Sequence, residues 1–147
     1  MAPVKEGQNE TPPASYLSDD NRAILEEDIR VSHCNYAPPK MVKAMVKVQS
    51  FKDEWMSQQL RNTGQKAILI AGNGHVRKDY GIPNVLGTDA MSVGLIEVDD
   101  ERNDPKAYNL ERYDVVWFTP RIDDRNPCDV FREQLEKMKH SGTKVEL

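Results

Sequence analysis

His75, Arg77, Lys78 and Tyr80 lie close together between two glycine-bearing turns, Gly72-Asn73-Gly74 and Gly81-Ile82-Pro83. An imidazole at such a place can ligate a metal or move a proton near neutral pH. A phenolate oxygen can hold ferric iron, and a guanidinium beside it would favour that ionised form. Arg77 and Lys78, with Arg121 further along, can pair with ligand carboxylates. Each residue also has a plainer reading. A histidine at a strand end is as readily a hydrogen-bonded anchor as a ligand. A tyrosine beside Gly81 commonly packs with its hydroxyl at the surface, and the three cations read equally as solvated surface charges. Asp53 and Glu97 are candidate bases, or ordinary capping or exposed carboxylates.

The element that must present these groups is Ala67–Ala71, AILIA, an unbroken apolar run that reads as a strand buried on both faces. The two glycines around Asn73 permit positive φ and a sharp change of direction. His75 then stands at the carboxyl end of a strand, where ligands bind in open α/β sheets. Met91–Val98 reads as a second strand, weakened by Gly94. Tyr113–Thr119, YDVVWFT, reads as a third with strong β-formers, and it delivers Arg121 to another strand end. Asn84–Ala90 reads as a short helix or loop, and Asp99–Lys106 as a charged surface connection.

Two helices precede the strands. Ser18-Asp19-Asp20 is an N-cap signal, followed by Ile24, Leu25 and Ile29 at helical spacing, with an end between Val31 and Tyr36. Pro38-Pro39 opens a longer helix over Lys40–Asn62, closed by Gly64. Met41, Ala44, Met45, Val48, Phe51 and Trp55 form its apolar face. Gln49, Asp53, Met56 and Leu60 form the adjoining strip, which is either a boundary that hydrogen-bonds a loop or a wall of the site with Asp53 facing His75. A last helix, Cys128 to about His140, starts at Asn126-Pro127 and turns Val130, Phe131, Leu135 and Met138 inward. His33 and His140 sit near helix ends, where a cation is favourable. The fold expected is α/β, with a small, largely parallel sheet of about three strands flanked by helices. Connections between the later strands are short for parallel pairing, so direction stays open at this level. Residues 1–17 read as a flexible N-terminal segment and 18–147 as the domain.

The chain has 147 residues, one domain's worth, and a net charge of −4 with both signs mixed. That balance speaks against a nucleic-acid groove or a basic membrane face. Cys34 and Cys128 allow one disulfide but form no C-x-x-C pair. No apolar run approaches the roughly 20 residues of a bilayer span, and the first residues lack the apolar core of a signal peptide. The compartment is not readable from these features. Gly-Asn-Gly has neither dinucleotide-loop nor P-loop spacing, and no G-x-S-x-G or H-E-x-x-H occurs.

AGNGHVRKDYGIP resembles the signature of the ChaN-type haem-binding uptake proteins. Gln49, Asp53 and Met56 look like that family's Q-x-x-x-D-x-x-M helix. YDVVWFTP and the Pro127-Cys128 helix start are similar to its C-terminal signature, so the likeness runs from about Ser18 to Met138. It implies an α/β protein of bacterial iron uptake, exported to the periplasm or lipid-anchored at the outer membrane. It implies haem held at a dimer or inter-chain interface, with a tyrosine on the iron. Carried onto this chain, the cofactor site comprises His75, Tyr80, Arg77, Asn73, Arg121, Gln49 and Asp53. Tyr80 would be the iron ligand, His75 a second axial group or propionate partner, and Arg77 and Arg121 the propionate cations. Trp55, Met56 and Ile82 would supply flat or aliphatic contacts. The family domain is about twice as long, and no Gly-Glu-x-His segment of its first half occurs here, so either the site is incomplete or a second chain completes the pocket. Ser57 stands where alanine is usual, and Asn126 where aspartate is common. The family is distantly similar to Tiki proteases and erythromycin esterases. The alternatives are therefore a metal-dependent hydrolase using His75 and Glu97, or an inactive remnant kept for interaction.

Overall fold

The computed structural model describes residues 16–87, 90–98, 102, 104–122 and 125–141. Helix α1 spans Asp19–Ser32, capped by the Ser18 hydroxyl, which accepts from Asn21 N at 3.1 Å. His33 closes it, with Nδ1 2.7 Å from Ile29 O. Helix α2 spans Pro39–Asn62 with proline in its first turn, and Gly64 beyond it takes a positive φ of 63°. A short α3, Ile82–Leu86, follows the His75 loop. Strands β1, Val93–Val98, and β2, Val115–Pro120, pair in parallel with Val93 opposite Val115 and Val98 opposite Pro120. Two 3-10 turns, Pro105–Ala107 and Leu110–Arg112, lie in the crossover between them. Helices α4, Pro127–Val130, and α5, Arg132–Ser141, end the described chain. The fold is α/β with parallel pairing, as its sequence pattern leads one to expect.

The core is Leu17, Leu25, Val46 and Tyr80, with Tyr16 and Ile29 packed against it. Tyr16 and Leu17 thus belong to the folded body, not to a flexible lead-in; residues 1–15 lie outside the described residues. A disulfide joins Cys34, just past α1, to Cys128 in α4, with Cα atoms 5.7 Å apart. That pairing, left open by composition alone, staples the C-terminal helices to the N-terminal one.

Four expectations change. Ala67–Ala71 is not a buried strand: Lys66–Ala71 makes no main-chain hydrogen bond among the described residues, and Ile68 and Ile70 are each 93% exposed. An apolar run is buried only where neighbours cover it, and here Leu69 and Ala71 are only partly covered while the isoleucines are not. The sheet therefore has two strands among these residues, not three. Second, α2 turns a different face inward. Val42, Val46, Ser50, Asp53 and Ser57 are buried, while Val48, Phe51 and Trp55 are exposed. Small serines and a paired carboxylate let the neighbouring chain approach closely, whereas periodicity finds only the most apolar face. Third, Val130 and Phe131 are exposed and not inward, and the last helix breaks at Phe131 into α4 and α5. The side chains of Leu135, Met138 and His140 lie outside the described residues. Fourth, neither Gly72 nor Gly74 has positive φ. The glycines under steric demand are Gly81 and Gly94.

Gly94 lies beneath the Tyr113 ring, and a Cβ there would come within 2.8 Å of it. Contact that close cannot persist without moving the ring or the strand. Gly94→Ala is expected to destabilise the fold by about 1–3 kcal/mol, read as a lower urea midpoint at unchanged slope.

Candidate functional site

The site is built from the strip on α2 and the loop that follows Gly72. Gln49, Asp53 and Ser57 recur at i+4 on one flank of the helix, and Asp53 is fully buried. The loop is pinned against them from the other side. The Asn73 side-chain amide donates to Leu95 O at 2.5 Å and accepts from Leu95 N at 3.2 Å. Asn73 thus occupies the edge of β1 that a strand neighbour would otherwise fill. Ser92 Oγ donates to Val76 O, and Lys78 Nζ meets Asp114 Oδ1 at 2.9 Å. Asp114 also accepts from Ser92 N at 2.8 Å, and both bonds hold its carboxyl below the ordinary range.

His75 lands where these restraints converge. Its Nδ1 lies 2.5 Å from Asp53 Oδ1 and 2.9 Å from Gln49 Nε2. Asp53 Oδ1 can only accept and the Gln49 amide nitrogen can only donate, so Nδ1 serves one of them, and the shorter contact to a fully buried carboxylate decides for a protonated Nδ1. Nδ1–H therefore points to Asp53, which leaves Nε2 as the lone-pair nitrogen. Among the described residues Nε2 has no partner, and the side chain is 21% exposed. Burial raises the Asp53 carboxyl above its ordinary pKa, with the His75 bond drawing it back. Behind Asp53, the Tyr16 hydroxyl lies 3.5 Å from Oδ2 and 3.4 Å from Tyr80 O.

Tyr80 is placed differently from the expectation of a phenol at the rim. It is 3% exposed, and its hydroxyl donates to Asp28 Oδ2 at 3.1 Å. Arg77 does stand over the ring, 4.1 Å from its centroid. Burial nevertheless raises the phenol pKa, and Asp28 adds to the rise against the opposing Arg77 charge. The neutral phenol is the favoured form.

Arg77 is buried, bonded to Asp28 through Nη1 and to both carboxylate oxygens of Asp79 through Nε and Nη2. Its charge is neutralised inside the fold, so the expected propionate role meets a guanidinium already in use. Arg121 follows β2 directly, whereas Val76 and Lys78 bond to Ser92 and Asp114, just before the strands begin. Asn73 of the same loop reaches Leu95, midway along β1 and opposite Trp117. Glu97 lies in β1, opposite Thr119.

Asp28 and Tyr16 are the members that sequence patterning missed. Asp28 lies three residues after buried Leu25, on the covered face of α1, and that spacing is the signal that marks it. Among the described residues no group of three His, Cys, Asp or Glu converges as a metal site would require. A hollow of about 200 Å³ lies elsewhere, under the sheet between Ile96, Tyr108 and Tyr113, and includes none of the His75 cluster. No described helix is long and apolar enough to cross a membrane.

Residues 1–86 match the family model described as haem-binding uptake, Tiki superfamily, ChaN. The chain belongs to this family. The matched span takes in Gln49, Asp53 and the whole His75 loop. The YDVVWFTP strand and the Pro127-Cys128 helix start lie beyond it. No curated protein and no solved structure gives a significant match.

Two outcomes test the electrostatics. Arg77→Met leaves Asp28 and Asp79 without their cation and is expected to lower stability by about 3 kcal/mol, the low end for breaking a buried pair, because both aspartates keep some solvent contact. Asp53 has a raised folded pKa, so the stability it confers is fullest below its unfolded value and is lost as pH climbs through the folded one. Wild type should therefore lose stability relative to Asp53→Asn as pH rises through that window, measured by urea titration at stepped pH.

Proposed function

We propose that this chain binds haem, with His75 Nε2 as the group offered to the iron. The observation that carries the reading is the carboxylate–imidazole pair, with Asp53 holding Nδ1 at 2.5 Å, Nε2 unpartnered among the described residues and the side chain only partly buried. Histidines that ligate metals characteristically give their other ring nitrogen to a carboxylate, which selects the tautomer and raises ligand basicity. Membership in a family named for haem binding and uptake supports the cofactor. Haem iron accepts an imidazole as an axial ligand, and the porphyrin supplies the remaining equatorial donors. A cluster that lacks three protein ligands is consistent with such a group, and it offers no donor set to a metal-dependent hydrolase among the described residues.

In this reading Gln49 and Asp53 orient the ring and do not touch the cofactor. Asn73 and Gly81 fix the loop. A Cβ at Gly81 would meet His75 O at 2.4 Å, so the imidazole's own peptide depends on that glycine. Tyr80 acts through the core and not as the ligand, since its hydroxyl is committed to Asp28. His75 would hold the group from this chain, and a second chain would supply the remaining contacts if haem is shared between copies. Bacterial haem uptake is the role that fits this chemistry and the family.

Hemin titration followed by absorbance tests the assignment. Wild type should give a saturable Soret band. His75→Ala should weaken binding at least tenfold, and Asp53→Asn should shift the band by altering the tautomer. Tyr80→Phe should keep the band while lowering thermal stability. A band lost in Tyr80→Phe and kept in His75→Ala would return the iron to the phenolate.

A further inference from the structure

We infer that the outward face of α2, from Lys40 to Trp55, docks on an anionic lipid surface. Two kinds of residue share that face. Ala44, Val48, Phe51 and Trp55 follow one another at steps of four, three and four, which sets them in one apolar strip. Val48 is 51%, Phe51 41% and Trp55 54% exposed, so about half of each stays in water. Lysines flank the strip. Lys40, Lys43 and Lys47 run along one side, and Lys52 stands on the other. All four are exposed, and none makes a hydrogen bond or ion pair among the described residues.

Net charge hides this arrangement. The chain totals −4, and that average speaks against a basic face. Yet no acidic residue lies between Lys40 and Lys52. The next carboxylates are Asp53 and Glu54. Asp53 is two residues from both Phe51 and Trp55, which places it on the opposite side of the helix, buried against His75. Glu54 is half-buried, and its charge acts on Tyr16. Helical periodicity thus segregates charges that composition mixes.

These groups name the occupant. A helix with an exposed apolar strip and lysines at its borders lies in the plane of a membrane interface. Its apolar side chains enter the acyl boundary, and its lysines reach back to the headgroups along their own stems. Tryptophan is favoured at that depth. Each lysine beside an anionic surface strengthens binding about fivefold. Lysine is a mobile point charge and suits a fluid array of phosphates, whereas arginine forks grip nucleic acid. No arginine occurs between Lys40 and Gln59. Docked this way, α2 turns Gln49, Asp53 and the His75 cluster away from the lipid.

The test uses the full chain without haem or an acyl group, so it can fail without touching the His75 assignment. Trp117→Phe leaves Trp55 as the sole tryptophan. Its emission should shift to the blue on mixed phosphatidylglycerol–phosphatidylethanolamine vesicles and stay unchanged on phosphatidylcholine vesicles. Lys43→Gln/Lys47→Gln should weaken cosedimentation with the anionic vesicles on the order of twentyfold, and high salt should weaken it as well. Phe51→Ser should weaken it about tenfold. The double lysine variant should keep the wild-type circular dichroism spectrum, because neither lysine bonds to the described fold. No binding to anionic vesicles, equal binding to both vesicle types, binding without the Trp55 shift, or a double lysine variant that binds as wild type would each overturn the proposal. Tighter binding to duplex DNA than to anionic vesicles would give the face to a nucleic acid instead. A concentration-dependent Trp55 shift without lipid would give it to a second copy, and either result would also overturn the proposal.

Discussion

The structure hangs on one buried cation. Arg77 reaches from the loop after Gly72 to Asp28 on α1 and to Asp79 beside it, while its guanidinium covers the Tyr80 ring. A guanidinium taken out of water is tolerated only when its donors are matched, and here two carboxylates and an aromatic face match them. The constraint is mutual. Asp28 accepts from both Arg77 and the Tyr80 hydroxyl, so helix, loop and core aromatic are set in one arrangement. The loop cannot shift without exposing an unpaired charge in the interior.

That anchoring sets the geometry of His75. Two residues before Arg77, the imidazole is pressed against α2, where Asp53 has no solvent of its own. Asp53 would be strained as a lone buried carboxylate, and the imidazole gives it a proton to share. What results is a ring with one nitrogen committed inward and the other free. Tyr80, the nearer intuition for an iron ligand, is used up in building the platform that presents the histidine. The residues with the most reactive side chains have thus divided the work, with the cation and phenol buried and the imidazole only partly covered.

The molecule also carries more apolar surface than its described elements cover. Ile68 and Ile70 stand clear of the body, Phe51 and Trp55 line the outward face of α2, and Leu95 and Trp117 lie exposed on the sheet. Surfaces of this kind in one small protein mark contact with other molecules. The Cys34–Cys128 disulfide acts in the opposite sense, tying α4 back to the end of α1 across 94 residues of chain.

Much was legible before any coordinates. The bounds of α1 and α2 follow from Ser18, Pro39 and Gly64, since caps and prolines act within one helical turn. The two paired strands follow from β-branched and aromatic runs, and the Gln49–Asp53 strip follows from i+4 spacing, which left open whether it faces His75. Family likeness rests on the same residues. Tertiary structure alone decided which face of α2 is covered, that Ala67–Ala71 stands unpaired among the described residues, and that Tyr80 is buried on Asp28. Local patterns record what a residue prefers. Burial, charge pairing and strand partnership depend on neighbours distant in sequence, and only the folded chain supplies those.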